Sequence, residues 1–101
     1  MGSQTVGHLI EQFQSRDHLV RKEAALALGQ RGLAAEPAVP ALIKALNDKS
    51  CAVRRAAAFA LGQIGPAAGP ATAALAAALH DKIHTVRDEA RQALERLQAD
   101  L

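Results

Sequence analysis

A chain of 101 residues, 50% hydrophobic and 22% charged with a formal net charge of +2, has the size and composition of one compact domain, residues 1–101. That balance excludes disordered, collagen-like and membrane-spanning classes, and two Phe with no Trp or Tyr leave little for stacking nucleobases or caging a quaternary ammonium. A lone cysteine, Cys51, cannot form an internal bridge, and the N-terminus has no basic-then-apolar leader pattern, so the expected setting is a reducing, cytoplasmic one.

Taken in chain order, the first helical pattern covers roughly residues 5–14, with Leu9 and Phe13 as its apolar positions. A second covers roughly 18–31 and stops at Gly32. Pro37 precedes a third, roughly 38–47, with Leu42, Ile43 and Leu46 inward; a proline costs nothing where its missing N–H would have no partner. The polar turn Asn47-Asp48-Lys49-Ser50 supplies an N-cap serine for a fourth pattern over roughly 51–64, which stops at Gly65. Pro70 precedes a fifth over roughly 71–80, and a sixth fills roughly 84–98. Gly32 and Gly65 suit a left-handed residue after a helix. No window alternates with the period of two that marks a strand, so the predicted fold class is all-α.

The six patterns are one pair repeated. Val20, Val53 and Val86 stand 33 residues apart, as do Arg21, Arg54 and Arg87. Ala24, Ala57 and Ala90 keep the same spacing, and so do Leu28, Leu61 and Leu94. Upstream, Leu9, Leu42 and Leu75 match, as do Ser15, Asp48 and Asp81. The units run approximately over 4–36, 37–69 and 70–101. On the fourth helix, Val53, Ala57, Ala60, Leu61 and Ile64 fall on one face at about 100° per residue, and the alanines let a neighbouring unit approach. One helix pair cannot cover that face alone, so three pairs are expected to stack into an α-solenoid, a short alpha-alpha superhelix. Gln4, His8, Glu11 and Gln12 at one end, and Arg87, Asp88, Arg91, Glu95 and Gln98 at the other, give the outer faces the polarity of caps.

The string Asp48-Lys49-Ser50-Cys51-Ala52-Val53-Arg54-Arg55-Ala56-Ala57-Ala58-Phe59-Ala60-Leu61-Gly62-Gln63-Ile64-Gly65 resembles a HEAT repeat, of the short HEAT-like type first noted in phycobilisome lyases. The resemblance covers nearly all of residues 5–98. It departs at Ser15, where Asp is usual, at Arg31, where an apolar residue is usual, and at Glu95, where Gly is usual. The family hosts scaffolds, lyase subunits, a metal hydroxylase and DNA-repair enzymes, so the resemblance implies a fold more sharply than an activity. In the hydroxylase, deoxyhypusine hydroxylase, His-Glu pairs after the Val-Arg of the second helices hold two irons. Here those places carry Lys22-Glu23, Arg55-Ala56 and Asp88-Glu89, and a cation at a ligand position repels a metal. No metal and no cofactor is expected.

Other chemistry is sparse. His18, Cys51 and His84 share a column at the starts of the second helices, but stacked helices stand about 8–10 Å apart and zinc holds its ligands at about 2.0–2.3 Å. Arg21, Arg54 and Arg87 beside Ser15, Asp48 and Asp81 read as an Asp–Arg ladder between units rather than as a phosphate site. No nucleophile triad and no glycine-rich phosphate loop is present, so the chain reads as a non-enzyme.

What remains is the exposed face of the second helices, which in solenoids of the resembled family lines the concave surface. Its columns are Lys22, Arg55 and Asp88; Ala25, Ala58 and Arg91; Leu26, Phe59 and Gln92; and Gln30, Gln63 and Arg96. The candidate binding residues are Lys22, Leu26, Gln30, Arg55, Phe59, Gln63, Arg91 and Gln92, with a protein or peptide as partner and the chain itself a monomer or weak dimer. A pI near 9.1 favours nucleic acid, but a charge of only +2 and the missing aromatics argue against it. A role beside a bilin-lyase-like enzyme is implied by the resemblance alone.

Overall fold

The computed structural model describes residues 4–98. Its α-helices are α1 Val6–Glu11, α2 His18–Arg31, α3 Val39–Ala45, α4 Cys51–Ile64, α5 Thr72–Ala78 and α6 His84–Leu97, with 3-10 segments at Gln12–Gln14, Gly32–Ala38 and Gly65–Ala71. No strand occurs among the described residues. The fold is an α-solenoid of three helix pairs. α2, α4 and α6 stack side by side as one layer, and α1, α3 and α5 pack with the 3-10 segments as a second layer.

Three helix starts, those of α1, α2 and α4, have side-chain caps. Asp17 accepts from the Leu19 N–H at 2.9 Å, Thr5 from His8 at 3.0 Å and Ser50 from Val53 at 3.4 Å, satisfying N–H groups that have no partner inside the helix. α6 has no side-chain cap; instead Asp81 Oδ1 receives the N–H of Ile83, the residue preceding the helix, at 2.9 Å. The first helices are shorter than their patterns predict at both ends, and Pro37 and Pro70 sit inside 3-10 segments rather than at helix starts. A proline nitrogen carries no hydrogen, so the α ladder breaks and tighter i→i+3 bonding takes its place. Gly32 and Gly65 have positive φ, 56° and 79°, but ψ of −132° and −146° puts them outside the left-handed helical region. They occupy a region open essentially to glycine alone, which turns the chain sharply from one layer to the other.

The core is apolar throughout, with no buried polar or charged residue among those described. Leu9, Leu28, Leu42, Leu61 and Leu75 are its largest members, and each such side chain gains about 1.5–3 kcal/mol by leaving water. Val53, Ala57, Ala60, Leu61 and Ile64 are all buried, as the periodicity predicts. Of the polar residues at the two ends, Gln4, His8, Glu11, Asp88, Arg91, Glu95 and Gln98 are exposed, while Gln12 and Arg87 are half-buried.

A guanidinium–carboxylate ladder ties the units along the turn side. Arg21 donates from Nε to Asp48 Oδ2 at 2.8 Å and from Nη2 to Oδ1 at 3.0 Å, while its Nη1 holds the Ser15 carbonyl at 2.8 Å. Arg54 repeats this with Asp81 at 2.8 and 3.2 Å and with the Asp48 carbonyl at 2.8 Å. These side chains are only 11–14% exposed, so the bidentate pairs are poorly screened and strong for their kind. Burial pushes the Asp48 carboxyl up, but Arg21 and the Ser50 N–H outweigh it and hold it below the usual aspartate value. Asp81 is held low by Arg54 first, against burial, with help from the Ile83 N–H. The same bonds raise Arg21 and Arg54.

Candidate functional site

The exposed side of the α2–α4–α6 layer carries two shallow pockets that meet at Phe59. One, about 170 Å³, is lined by Lys22, Leu26, Ala52, Arg55, Ala56, Phe59 and Glu89. The other, about 110 Å³, lies between Phe59, Gly62, Gln63, Glu89, Gln92, Ala93 and Arg96. Phe59 and Glu89 line both, so together they form a single groove across α4 with the phenyl ring at its middle.

Two glycines shape this groove. A Cβ added at Gly29 would lie 2.9 Å from Phe59 Cε2 and 3.1 Å from the Ala60 Cα, so the ring leans over α2 and the two helices nearly touch. At Gly62 the same construction meets the Ala93 Cα at 3.1 Å and the Arg96 side chain at 3.4 Å. Phe59 is half-buried. Where the next unit has Gln92 in its column, the cover over Gly62 comes instead from Arg96, whose Nη1 donates to Gln63 Oε1 at 2.7 Å.

The charges in the groove are mixed: Lys22 comes from α2, Arg55 from α4, and Glu89 and Arg96 from α6. The Lys22 ammonium is 3.8 Å from the exposed Glu23 carboxylate, a surface pair worth little. Among the described residues Arg55 has no ion pair, and it is exposed.

Of the eight residues that the helical angles select, Lys22, Leu26, Arg55, Phe59, Gln63 and Gln92 line the groove. Gln30 is exposed but lines neither pocket. Arg91 belongs elsewhere. Its column mates Ala25 and Ala58 are fully buried, so that column is the surface between units, and Arg91 stands on the open flank of α6 beside Asp88 at 3.5 Å. Counting angles on one isolated helix cannot show this, because a helix inside a stack is covered on both flanks as well as behind. The charged residues not among the candidates are Glu89 and Arg96, the latter already in the exposed column with Gln30 and Gln63. The column Glu23, Ala56 and Glu89 held the signal for the first, since it adjoins Lys22, Arg55 and Asp88.

Two other clefts are larger but differently built. One of about 390 Å³ runs between Ile10, Phe13 and Pro37, Pro40, Lys44 on the layer of first helices. Another lies at the turns, lined by Gln14, Ser15, Arg16, His18, Arg21, Lys49 and Ser50. His18, Cys51 and His84 are all exposed at their helix starts, and among the described residues no group of three His, Cys, Asp or Glu side chains is placed to hold a metal. No helix among the described residues is long and apolar enough to cross a membrane.

Comparison with known proteins adds to this geometry. A family model described as HEAT repeats matches residues 4–95. The crystal structure of an engineered protein is similar, with 30% identity and a TM-score of 0.78 over 93% of this chain and 45% of that one. This chain therefore spans less than half of that engineered protein. A search of curated proteins finds no match.

Proposed function

The chain belongs to the HEAT repeat family, and from that premise we propose that it is a protein-interaction module which seats a helix or extended peptide along the groove at Phe59. HEAT repeats generally serve as protein-interaction scaffolds. The observation that carries the reading for this chain is one aromatic ring, half-buried against Gly29, in a groove rimmed by Lys22, Arg55, Glu89 and Arg96. An aromatic anchor in a pocket with a charged rim is the usual energetic centre of an interface. Lys22 and Arg55 steer an acidic partner and fix its direction, while the ring and Leu26 supply the apolar contact.

The 33-residue period supports placing the repeats in the short HEAT-like type and drawing the units at about 4–36, 37–69 and 70–101. No catalytic role is part of the proposal. A lone exposed Cys51 suits a reducing, cytoplasmic setting, and the polar ends suit a monomer or weak dimer. The test is Phe59→Ala against a partner recovered from the source cell by affinity capture. We expect at least about tenfold weaker binding with a small change in melting temperature. Undiminished affinity, or a melting-temperature loss like that of a core substitution, would remove Phe59 from the binding site.

A further inference from the structure

The turns that join first to second helices carry free charge of one sign. Arg16, Lys49 and Lys82 stand 33 residues apart, all three are exposed, and among the described residues none is in an ion pair. The carboxylates of the same turns are all engaged within the chain: Asp17 holds the Leu19 N–H at 2.9 Å, Asp48 takes the fork of Arg21, and Asp81 takes that of Arg54. The ladder thus neutralises the turn acids with helix arginines and leaves the turn cations uncompensated. Arg16 and Lys49 share a cleft of about 730 Å³ with His18 and Arg21, and no carboxylate lines it. The cleft lies between two stacked units, each of which supplies part of its wall. Two residues before the cations runs a second exposed column, Gln14, Asn47 and His80.

We propose that this turn edge binds an extended acidic segment of a partner protein, which crosses the units with one carboxylate for each. Stacked helices stand about 8–10 Å apart and three residues of extended chain advance about 10 Å, so acids at every third position meet Arg16, Lys49 and Lys82 in turn. The second column favours a peptide over a phosphate backbone. An amide or a neutral imidazole offers both a donor and an acceptor, which matches the N–H and C=O of a main chain, whereas a phosphodiester offers acceptors only. No Phe, Tyr or Trp stands in the turns to stack a base. This edge is separate from the groove at Phe59, because no residue of either column lines that groove. Exposed ion pairs are individually weak, so the register of the acids decides which segment binds.

The test uses the whole chain and fluorescence anisotropy at about 20 mM salt, where surface charges are little screened. The probe is a labelled, capped peptide Thr-Asp-Thr-Thr-Asp-Thr-Thr-Asp-Thr, and its isomer with the three Asp adjacent carries the same charge out of register. The spaced peptide should bind at least about fivefold more tightly than the isomer, and Lys49→Gln should remove that preference without changing the melting temperature. Lys44→Gln, which removes a cation beside the first-helix cleft, and Phe59→Ala should leave the preference intact. Equal affinity for the two isomers, no binding of either, or a preference that survives Lys49→Gln would overturn the proposal. Tighter binding of an oligothymidylate of equal length, or of phosphatidylserine vesicles, would assign the edge to a phosphate backbone or a lipid surface and overturn it equally.

Discussion

The Phe59 ring fills the space above Gly29 that any side chain there would need, with Cε2 2.9 Å from where a Cβ would stand. This contact couples the groove to the spacing of α2 and α4, because the Ala60 Cα lies 3.1 Å from the same point. A ring can swing aside, but the backbone of α4 cannot move without disturbing Ala57, Leu61 and the rest of the core.

Gly29→Ala is therefore expected to destabilise despite better helix propensity. Alanine gains about 1 kcal/mol as a helix former, while overpacking costs about 1–3 kcal/mol, for a net loss of about 1 kcal/mol. Chemical denaturation measures the loss. NMR contacts from the Phe59 ring should show it displaced toward solvent.

Ala57→Leu and Ala60→Leu should be more damaging. Both alanines are fully buried, and Ala60 lies against Gly29 of α2, so three further carbons at either position would have to displace packed neighbours. A loss of about 2–3 kcal/mol each, read as a lowered denaturation midpoint with unchanged slope, is expected. Unchanged melts would mean that the layers are spaced more loosely than described.

The ladder predicts a gradient along the chain. Arg54→Ala removes a bidentate bond to Asp81 and a bond to the Asp48 carbonyl, and leaves a mostly buried carboxylate alone; about 2–4 kcal/mol should be lost. Arg87→Ala removes only the bond to the Asp81 carbonyl, so about 1 kcal/mol is expected. Paired denaturation curves check the order.

Acid should reveal the same pairs. Asp48 and Asp81 are held below the ordinary value of 3.8, so their contribution is complete at neutral pH. As pH falls, the unfolded chain takes up protons first, and that stability drains from near 3.8 down through the depressed folded values. Urea midpoints measured from about pH 7 to about pH 2 should fall less steeply over this range in Asp48→Asn and Asp81→Asn than in the parent, from a lower starting stability.

The helix pairs, their order and the inward face were legible because a 33-residue period repeats each signal three times. The ladder was legible for the same reason: charge of opposite sign recurred in register. Less legible were features that depend on neighbours. The burial of Ala25 and Ala58 arises from the next unit, which the angle on one helix does not register, and only the change from alanine to Arg91 in the last unit marks that column. Glu89 enters the groove across the helix boundary, from a column that begins with an exposed Glu23 and passes through a buried Ala56. The 3-10 segments follow from proline chemistry, but their length is set by how far the chain must travel between layers.

The uneven spacing of the two layers has a mechanical meaning. On the groove side, Gly29 against Ala60 and Gly62 against Ala93 are already at the limit of approach, whereas a cleft of about 390 Å³ stands open between the first helices of units one and two. Unit spacing is therefore fixed from the groove side, where a larger residue at Gly29 or Gly62 would have to push the helices apart, and left slack on the other, where the cleft has room for added side-chain volume.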